Sequence, residues 1–176
     1  MPPDAIESFI TRWENSGAAE RANYQMFLSE LCDILEVPRP DPTSPDPAKN
    51  LHVFDRALER AFHQGRGYIT SLPVAEGRPP FLLVCDVGHS IDLYAEFSGT
   101  GGHYERFPDP KNHRILLTDL RQEKHRATLR AIWTDPYSLD PSKKAAEVTR
   151  DIANRLAKLA KSLKKRPELV TLPLAA

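Results

Sequence analysis

Tyr24, Phe27, Leu28, Leu31, Ile34 and Leu35 recur at steps of three and four residues, a period that gathers apolar side chains on one face of a helix. The pattern predicts a helix over residues 18–36, preceded by a shorter one over 4–14, with the break at Ser16-Gly17. Ser16 or Gly17 supplies the start of the second helix, and Glu20 lies in its first turn, where the helix dipole favours an acid. Val37-Pro38 forces a stop, because proline lacks an amide donor and restricts the residue before it. Phe54, Leu58, Ala61, Phe62 and Ile69 share a third helical face within residues 51–72, with a bend expected near Gly65 and Gly67.

Beyond Glu76-Gly77-Arg78-Pro79-Pro80 the period changes. Phe81–Val87 is nearly all apolar, as a strand covered on both faces requires. Ser90–Phe97 alternates, with Ile91, Leu93 and Ala95 turned one way and Asp92, Tyr94 and Glu96 the other, towards solvent. Gly88-His89 is short enough for a hairpin. Gly99–Gly102 makes a turn before Tyr104–Phe107, and Ile115–Leu117 is a further short strand. A helix capped by Thr118-Asp119 runs to Trp133, and Asp135-Pro136 ends it. The last helix spans Pro141–Lys165, with proline in its favoured first turn. Ala145, Val148, Ile152, Leu156, Leu159 and Leu163 form its apolar stripe.

Charge changes this picture in one place. The chain is formally neutral over 176 residues, yet Lys143–Arg166 holds nine basic residues and two acids, against fifteen and twenty-two elsewhere. A basic helix of this kind meets phosphate or an acidic protein surface. The candidate DNA contacts are Lys143, Lys144, Arg155, Lys158, Lys161 and Lys165, with Arg150, Lys164 and Arg166 beside them. The plainer reading is a helix whose stripe packs on the body and whose lysines are solvated. The longest apolar run, Phe81–Cys85, is far short of the ~20 residues that span a bilayer, and the N-terminus carries no signal-peptide pattern. Two cysteines within apolar patterns point to a reduced, cytoplasmic protein, with a Cys32–Cys85 disulfide left open. No membrane partner is expected.

Residues 20–42 (ERANYQMFLSELCDILEVPRPDP) resemble the opening of MmeI-like enzymes, which join an endonuclease domain, a helical spacer, an adenine methyltransferase domain and a target-recognition domain. PPFLLVCDVGHSIDLYAEF from Pro79, RFPDPKNHRILLTDLR from Arg106 and LRAIWTDPYSLDPSKKAAEVTRDIANRLAKLAKSL from Leu129 are similar to consecutive later parts of that region. The blocks are collinear over most of residues 5–163. The resemblance implies an α/β fold, a small mixed sheet of two to four strands packed on helices, as the remnant of a PD-(D/E)xK nuclease-like fold with a long C-terminal helix. It divides the chain into an N-terminal helical pair (1–36), a proline-rich connector (37–50), a reduced nuclease-like core (51–117), a helical spacer (118–166) and a tail (167–176).

Two departures from the family shape the functional expectation. In the family the nuclease centre lies between the connector and the helix before the Phe81 strand, where two carboxylates hold Mg²⁺ and a lysine orients water. Here Val53-Phe54-Asp55 runs straight into Ala57-Leu58-Glu59-Arg60, without those strands. After Leu163 the sequence leaves the family pattern, and no methyltransferase domain follows. No catalytic, cofactor-binding or metal site is therefore expected, although the family uses Mg²⁺ and S-adenosylmethionine. Gln64-x-x-x-Tyr68 matches the accessory helix that lies beside the metal site in related nucleases.

Other motifs are weaker. Pro108-Asp109-Pro110-Lys111 spells nuclease letters within one loop, Asp92 reads as a solvent-facing strand acid, and Asp135-Pro136-Tyr137 lacks the second proline of a methyltransferase motif. Gly99–Gly102 precedes no helix that would receive a phosphate, and the six histidines have no paired metal spacing. Three functions follow: a restriction–modification fragment without catalysis, a binding module that meets DNA, itself or a full-length relative, and a nuclease relocated to Asp92 or Asp109 with Lys111. Loss of central strands exposes sheet edges, so self-association is expected.

Overall fold

The computed structural model describes residues 3–16, 20–39, 58–73, 75 and 77–164. They form α1 (Pro3–Glu14), α2 (Glu20–Leu35), α3 (Leu58–Ser71), β1 (Phe81–Asp86), β2 (Ser90–Ala95), β3 (Glu105–Arg106), β4 (Arg114–Leu116), α4 (Glu123–Thr134) and α5 (Pro141–Lys164). This is the α/β class read from the sequence, with four strands and a long C-terminal helix. Every strand pairing is antiparallel: β2 is central, β1 lies on one side of it, and β3 and β4 pair with its other side. The junction Val53–Ala57, the proline-rich stretch from Pro40 and the tail lie outside the described residues. The chain divides into two compact units, Met1–Tyr137 and Ser138–Ala176.

In the first unit, α1 and α2 meet through Phe9, Trp13 and Phe27, with the Trp13 and Phe27 rings edge-on at 5.1 Å. Trp13 Nε1 donates to Glu30 across the pair at 2.8 Å. Helix α2 ends where Glu36 takes φ of 56° and the Val37 N–H returns to the Cys32 carbonyl. This left-handed terminal residue satisfies a carbonyl that the helix leaves over. The Leu35 carbonyl is closed by Arg130 Nε of α4 at 2.8 Å. Cys32 and Cys85 are both buried and free, so the disulfide left open by the sequence is not formed.

Helix α3 runs without interruption through both glycines. Gly65 is buried, and a Cβ there would stand 2.7 Å from Leu82 Cδ1. The glycine brings the helix onto β1 and does not end it. Ala61 and Ile69 pack with Leu82, Val84, Tyr94 and Tyr104, flanked by Leu58, Phe62 and Tyr68. This packing corrects the expectation that β2 turns one face to solvent: all six of its residues are buried, with Tyr94 packed against Phe62 of α3.

A second correction concerns the start of α4. Thr118-Asp119 does not cap it; a 3-10 turn over Leu117–Arg121 intervenes, and α4 begins at Glu123. The Asp119 carboxylate instead accepts the Leu116 N–H at 2.9 Å. The hairpin between β1 and β2 requires Gly88, which has φ of 84° and lies against α1. A Cβ at Gly88 would stand 2.5 Å from the Trp13 carbonyl oxygen.

Candidate functional site

The register of β2 with β4 sets Asp92 opposite Arg114. Arg114 Nε and Nη2 donate to the two Asp92 oxygens at 2.7 and 2.8 Å, a fork-to-fork pair. Asp92 is 1% exposed, so the reading of it as a solvent-facing acid is overturned. His113 Nε2 stands 3.8 Å from Asp92 Oδ2. The Tyr94 ring lies 6.0 Å from the His113 ring and 4.2 Å from that of Phe62. Burial, then the neighbouring Asp92 carboxylate, push the Tyr94 hydroxyl above its ordinary range. Arg114 is held further towards its charged form by the hydrogen bonds from its guanidinium to Asp92, against a smaller effect of burial.

Among the described residues, Asp92 is the most deeply buried charged side chain. The sequence carried half of the signal: an acid at an alternating strand position, and a further short strand expected at Ile115–Leu117, one residue short of Arg114. What it did not carry was the register that joins them. His113 precedes that strand and gave no metal spacing, so its approach to Asp92 also went unread.

The cluster does not fit the magnesium ion that the family resemblance implies. A divalent cation needs anionic oxygens with free lone pairs, whereas Asp92 directs both oxygens at Arg114, whose positive charge occupies the approach. Asp109 fits no better. Its Oδ1 accepts the Lys111 and Asn112 N–H groups and its Oδ2 accepts Asn112 Nδ2. The side chain of Asn112, then the Lys111 backbone, hold its carboxyl below the usual range. It is a turn-forming aspartate. Among the described residues no group of three His, Cys, Asp or Glu side chains is placed to hold a metal.

The glycine turn has its own internal reason. Glu96 Oε2 accepts the Gly101 N–H at 3.0 Å, and Oε1 accepts the Ser98 N–H at 2.7 Å and the Ser98 hydroxyl. The turn wraps a carboxylate of this chain, so its donors do not suit the anionic end of S-adenosylmethionine. Asp135-Pro136-Tyr137 closes α4, with the Asp135 N–H on the Ala131 carbonyl at 2.8 Å.

On α3, Gln64 Nε2 donates to the Tyr68 hydroxyl at 3.3 Å one turn away. Tyr68 packs against the α3–sheet core, while Gln64 is exposed.

Helix α5 belongs to the second unit. Asp140 opens it by accepting the Ser142 N–H on Oδ1 at 2.8 Å. Lys143, Arg150 and Lys161 are spaced at seven and eleven residues and fall in one line on the helix opposite the apolar stripe. Lys158 lies beside that line, and Arg155 flanks the stripe, paired with Asp151 at 2.8 Å. These five side chains are exposed. Lys144 is a position on the same helix, and Lys165 lies outside the described residues. Val148, Ile152, Leu156 and Leu159 are 52–60% exposed. No described helix is long and apolar enough to cross a membrane.

Comparison with known proteins bears on the whole of this region. The family model for the N-terminal domain of MmeI matches residues 1–166. No curated protein and no solved structure matches. A match over so much of the length, with the collinear blocks and the α/β core described above, settles the family: the chain belongs to the MmeI N-terminal domain family of restriction–modification enzymes.

Proposed function

We propose that this chain performs no catalysis of its own and serves as a DNA-contacting module of a restriction–modification system. The observation that carries the first part is the buried Asp92–Arg114 pair. In a metal-dependent nuclease a strand carboxylate with free oxygens holds the ion; here the buried strand carboxylate, Asp92, is neutralised by the Arg114 guanidinium. The third reading of the sequence, a relocated nuclease at Asp92 or Asp109 with Lys111, loses its support as well: Asp92 is paired with Arg114, and Asp109 is hydrogen-bonded within its own turn.

The second part rests on α5. Its line of Lys143, Arg150 and Lys161, with Lys158 alongside, covers 18 residue steps, or about 27 Å at ~1.5 Å per residue. Phosphate contacts from such a row are independent of base sequence and sensitive to salt. Lys144, Arg155 and Lys165 extend the proposed surface. A full-length relative acting on the same DNA is the partner this reading favours.

The test uses supercoiled plasmid and labelled duplex DNA. Incubation with Mg²⁺ or Mn²⁺ is expected to leave the plasmid intact, while fluorescence anisotropy rises on binding at low salt. Metal-dependent nicking that survives further purification would overturn the first part. Unchanged anisotropy at low salt would remove the second.

A further inference from the structure

A groove of about 280 Å³ is lined by Phe81, Leu82, Leu83 and Cys85 of β1. Successive side chains of a strand point to opposite faces of the sheet. One groove that touches both Leu82 and its neighbours Phe81 and Leu83 therefore runs along the strand's edge. Its walls come from α3 (Gly65, Tyr68, Ile69) and from α2 and α4, where Leu31, Leu129 and Trp133 contribute.

The hydrogen-bond parity of the sheet identifies what that edge presents. The Glu96 N–H donates to the Pro80 carbonyl, and the Leu93 N–H donates to His113 on the far side of β2. With Leu82 opposite Tyr94 and Val84 opposite Asp92, the even-numbered residues of β1 bond to β2. Antiparallel pairing alternates in this way. The N–H and C=O groups of Phe81, Leu83 and Cys85 then face the groove, and no hydrogen bond from the described residues reaches them. The edge is bounded by Pro80, which has no N–H, and by the hairpin turn at Val87–His89. Phe81 and Cys85 are each 9% exposed and Leu83 is part-buried, in apolar surroundings where an unmet donor or acceptor is costly.

We infer that this groove is a strand-acceptor site for an extended, uncharged segment of another polypeptide. Backbone groups in an alternating row ask for an extended chain, since its own N–H and C=O groups match them at ~4.8 Å spacing. The lining contains no charged residue, so the entering segment carries apolar side chains on both of its faces. A volume of about 280 Å³ falls just below the roughly 300–1,000 Å³ of clefts that enclose whole small molecules, which suits side chains along an edge. The β1 edge of a second copy is excluded on geometry: it lies between its own helical walls, and two recessed edges do not come within hydrogen-bonding distance. The inference does not depend on DNA binding by α5.

The probe is a synthetic heptapeptide, Lys-Val-Leu-Val-Phe-Val-Lys, with a control in which every backbone nitrogen is methylated, so that neither edge of the peptide can donate. Amide hydrogen exchange is read residue by residue on the full chain. In the free protein the amides of Leu83 and Cys85 are expected to exchange at least tenfold faster than those of Leu82 and Val84. Peptide should slow Leu83 and Cys85 at least tenfold, while the methylated peptide leaves them unchanged. Leu83→Pro removes a donor that faces the groove without touching the ladder to β2, and should abolish peptide binding with the fold retained. If that variant fails to fold, the methylated control carries the same test. Protection of Leu83 and Cys85 in the free protein at every concentration would overturn the inference, as would equal binding of both peptides. Protection that appears only with concentration and a dimer's mass would also overturn it, in favour of a second copy.

Discussion

At the scale of single residues, Asp92 is a buried charge held by one arginine. Removing one partner of a buried ion pair leaves the other charge desolvated, at roughly 3–5 kcal/mol. Arg114 is half exposed, so Arg114→Met is expected to cost about 3 kcal/mol, at the lower end of that range. Asp92→Leu combined with Arg114→Met should recover most of the loss, because no charge is then left buried. Urea unfolding of the wild type and the two variants separates these outcomes, and a double variant no better than Arg114→Met would refute the explanation. The pH dependence follows from other groups. Burial works to raise the Glu96 carboxyl, but hydrogen bonds from Ser98, Gly101 and Gly99 outweigh it and hold the group below its ordinary value of 4.5. A depressed folded value gives stability that is complete above the unfolded value and is lost as pH falls through the folded one. Glu96→Gln should therefore flatten the acid side of the stability profile. On the alkaline side the signs reverse, because burial pushes Cys32 up to about 11 and Cys85 up to about 12, from 9.0. Stability they contribute is complete below pH 9.0 and declines as pH rises towards those values. Denaturation midpoints from pH 8 to 11 measure the slope, which should be shallower in Cys32→Ala/Cys85→Ala. Asp92 was visible in the sequence as an alternating acid. Its burial was not, since that depends on the strand register that sets it opposite an arginine 22 residues away.

At the scale of elements, the local signals were strongest where spacing alone decides the structure. The apolar period of α2, the apolar run of β1, the Gly88 turn and the proline that opens α5 all follow from neighbours within one element. The glycines of α3 were misjudged because their meaning is tertiary. Gly65 exists for close approach to Leu82, whereas a Cβ at Gly67 would meet nothing within 4 Å. The two positions therefore predict opposite outcomes for the same substitution. Gly67→Ala should stabilise the protein by about 1 kcal/mol, the ordinary gain in a helix interior. Gly65→Ala has the same gain to draw on, but its Cβ would push a core leucine, and it should be destabilising on balance. Thermal unfolding of the pair decides between this account and a bend, which would make both substitutions unfavourable. The capping error at Thr118-Asp119 has a similar cause. Asp119 is a good capping residue, but the chain uses it on the Leu116 amide of the preceding strand.

At the scale of the whole molecule, charge was the most legible feature and its use the least. The basic count between Lys143 and Arg166 is plain in the sequence. The helical period then sorts these residues into a line opposite the apolar stripe, with others beside the stripe. If the line of Lys143, Arg150 and Lys161, with Lys158 beside it, meets phosphates, four contacts give a slope of log affinity against log salt of about −3.6, from roughly −0.9 per neutralised phosphate. Changing Lys143, Arg150 and Lys161 to glutamate should flatten that slope by about 2.7 and weaken binding at every sequence tested. Arg39, Lys111 and Lys124 are exposed basic residues of the first unit. Their replacement by glutamate changes total charge by the same amount and should leave the slope nearly intact. Anisotropy titrations between 25 and about 200 mM salt on both triple variants distinguish a docked row from charge in general. Equal loss in the two would mean that DNA senses only net charge, and the proposed α5 surface would have to be abandoned.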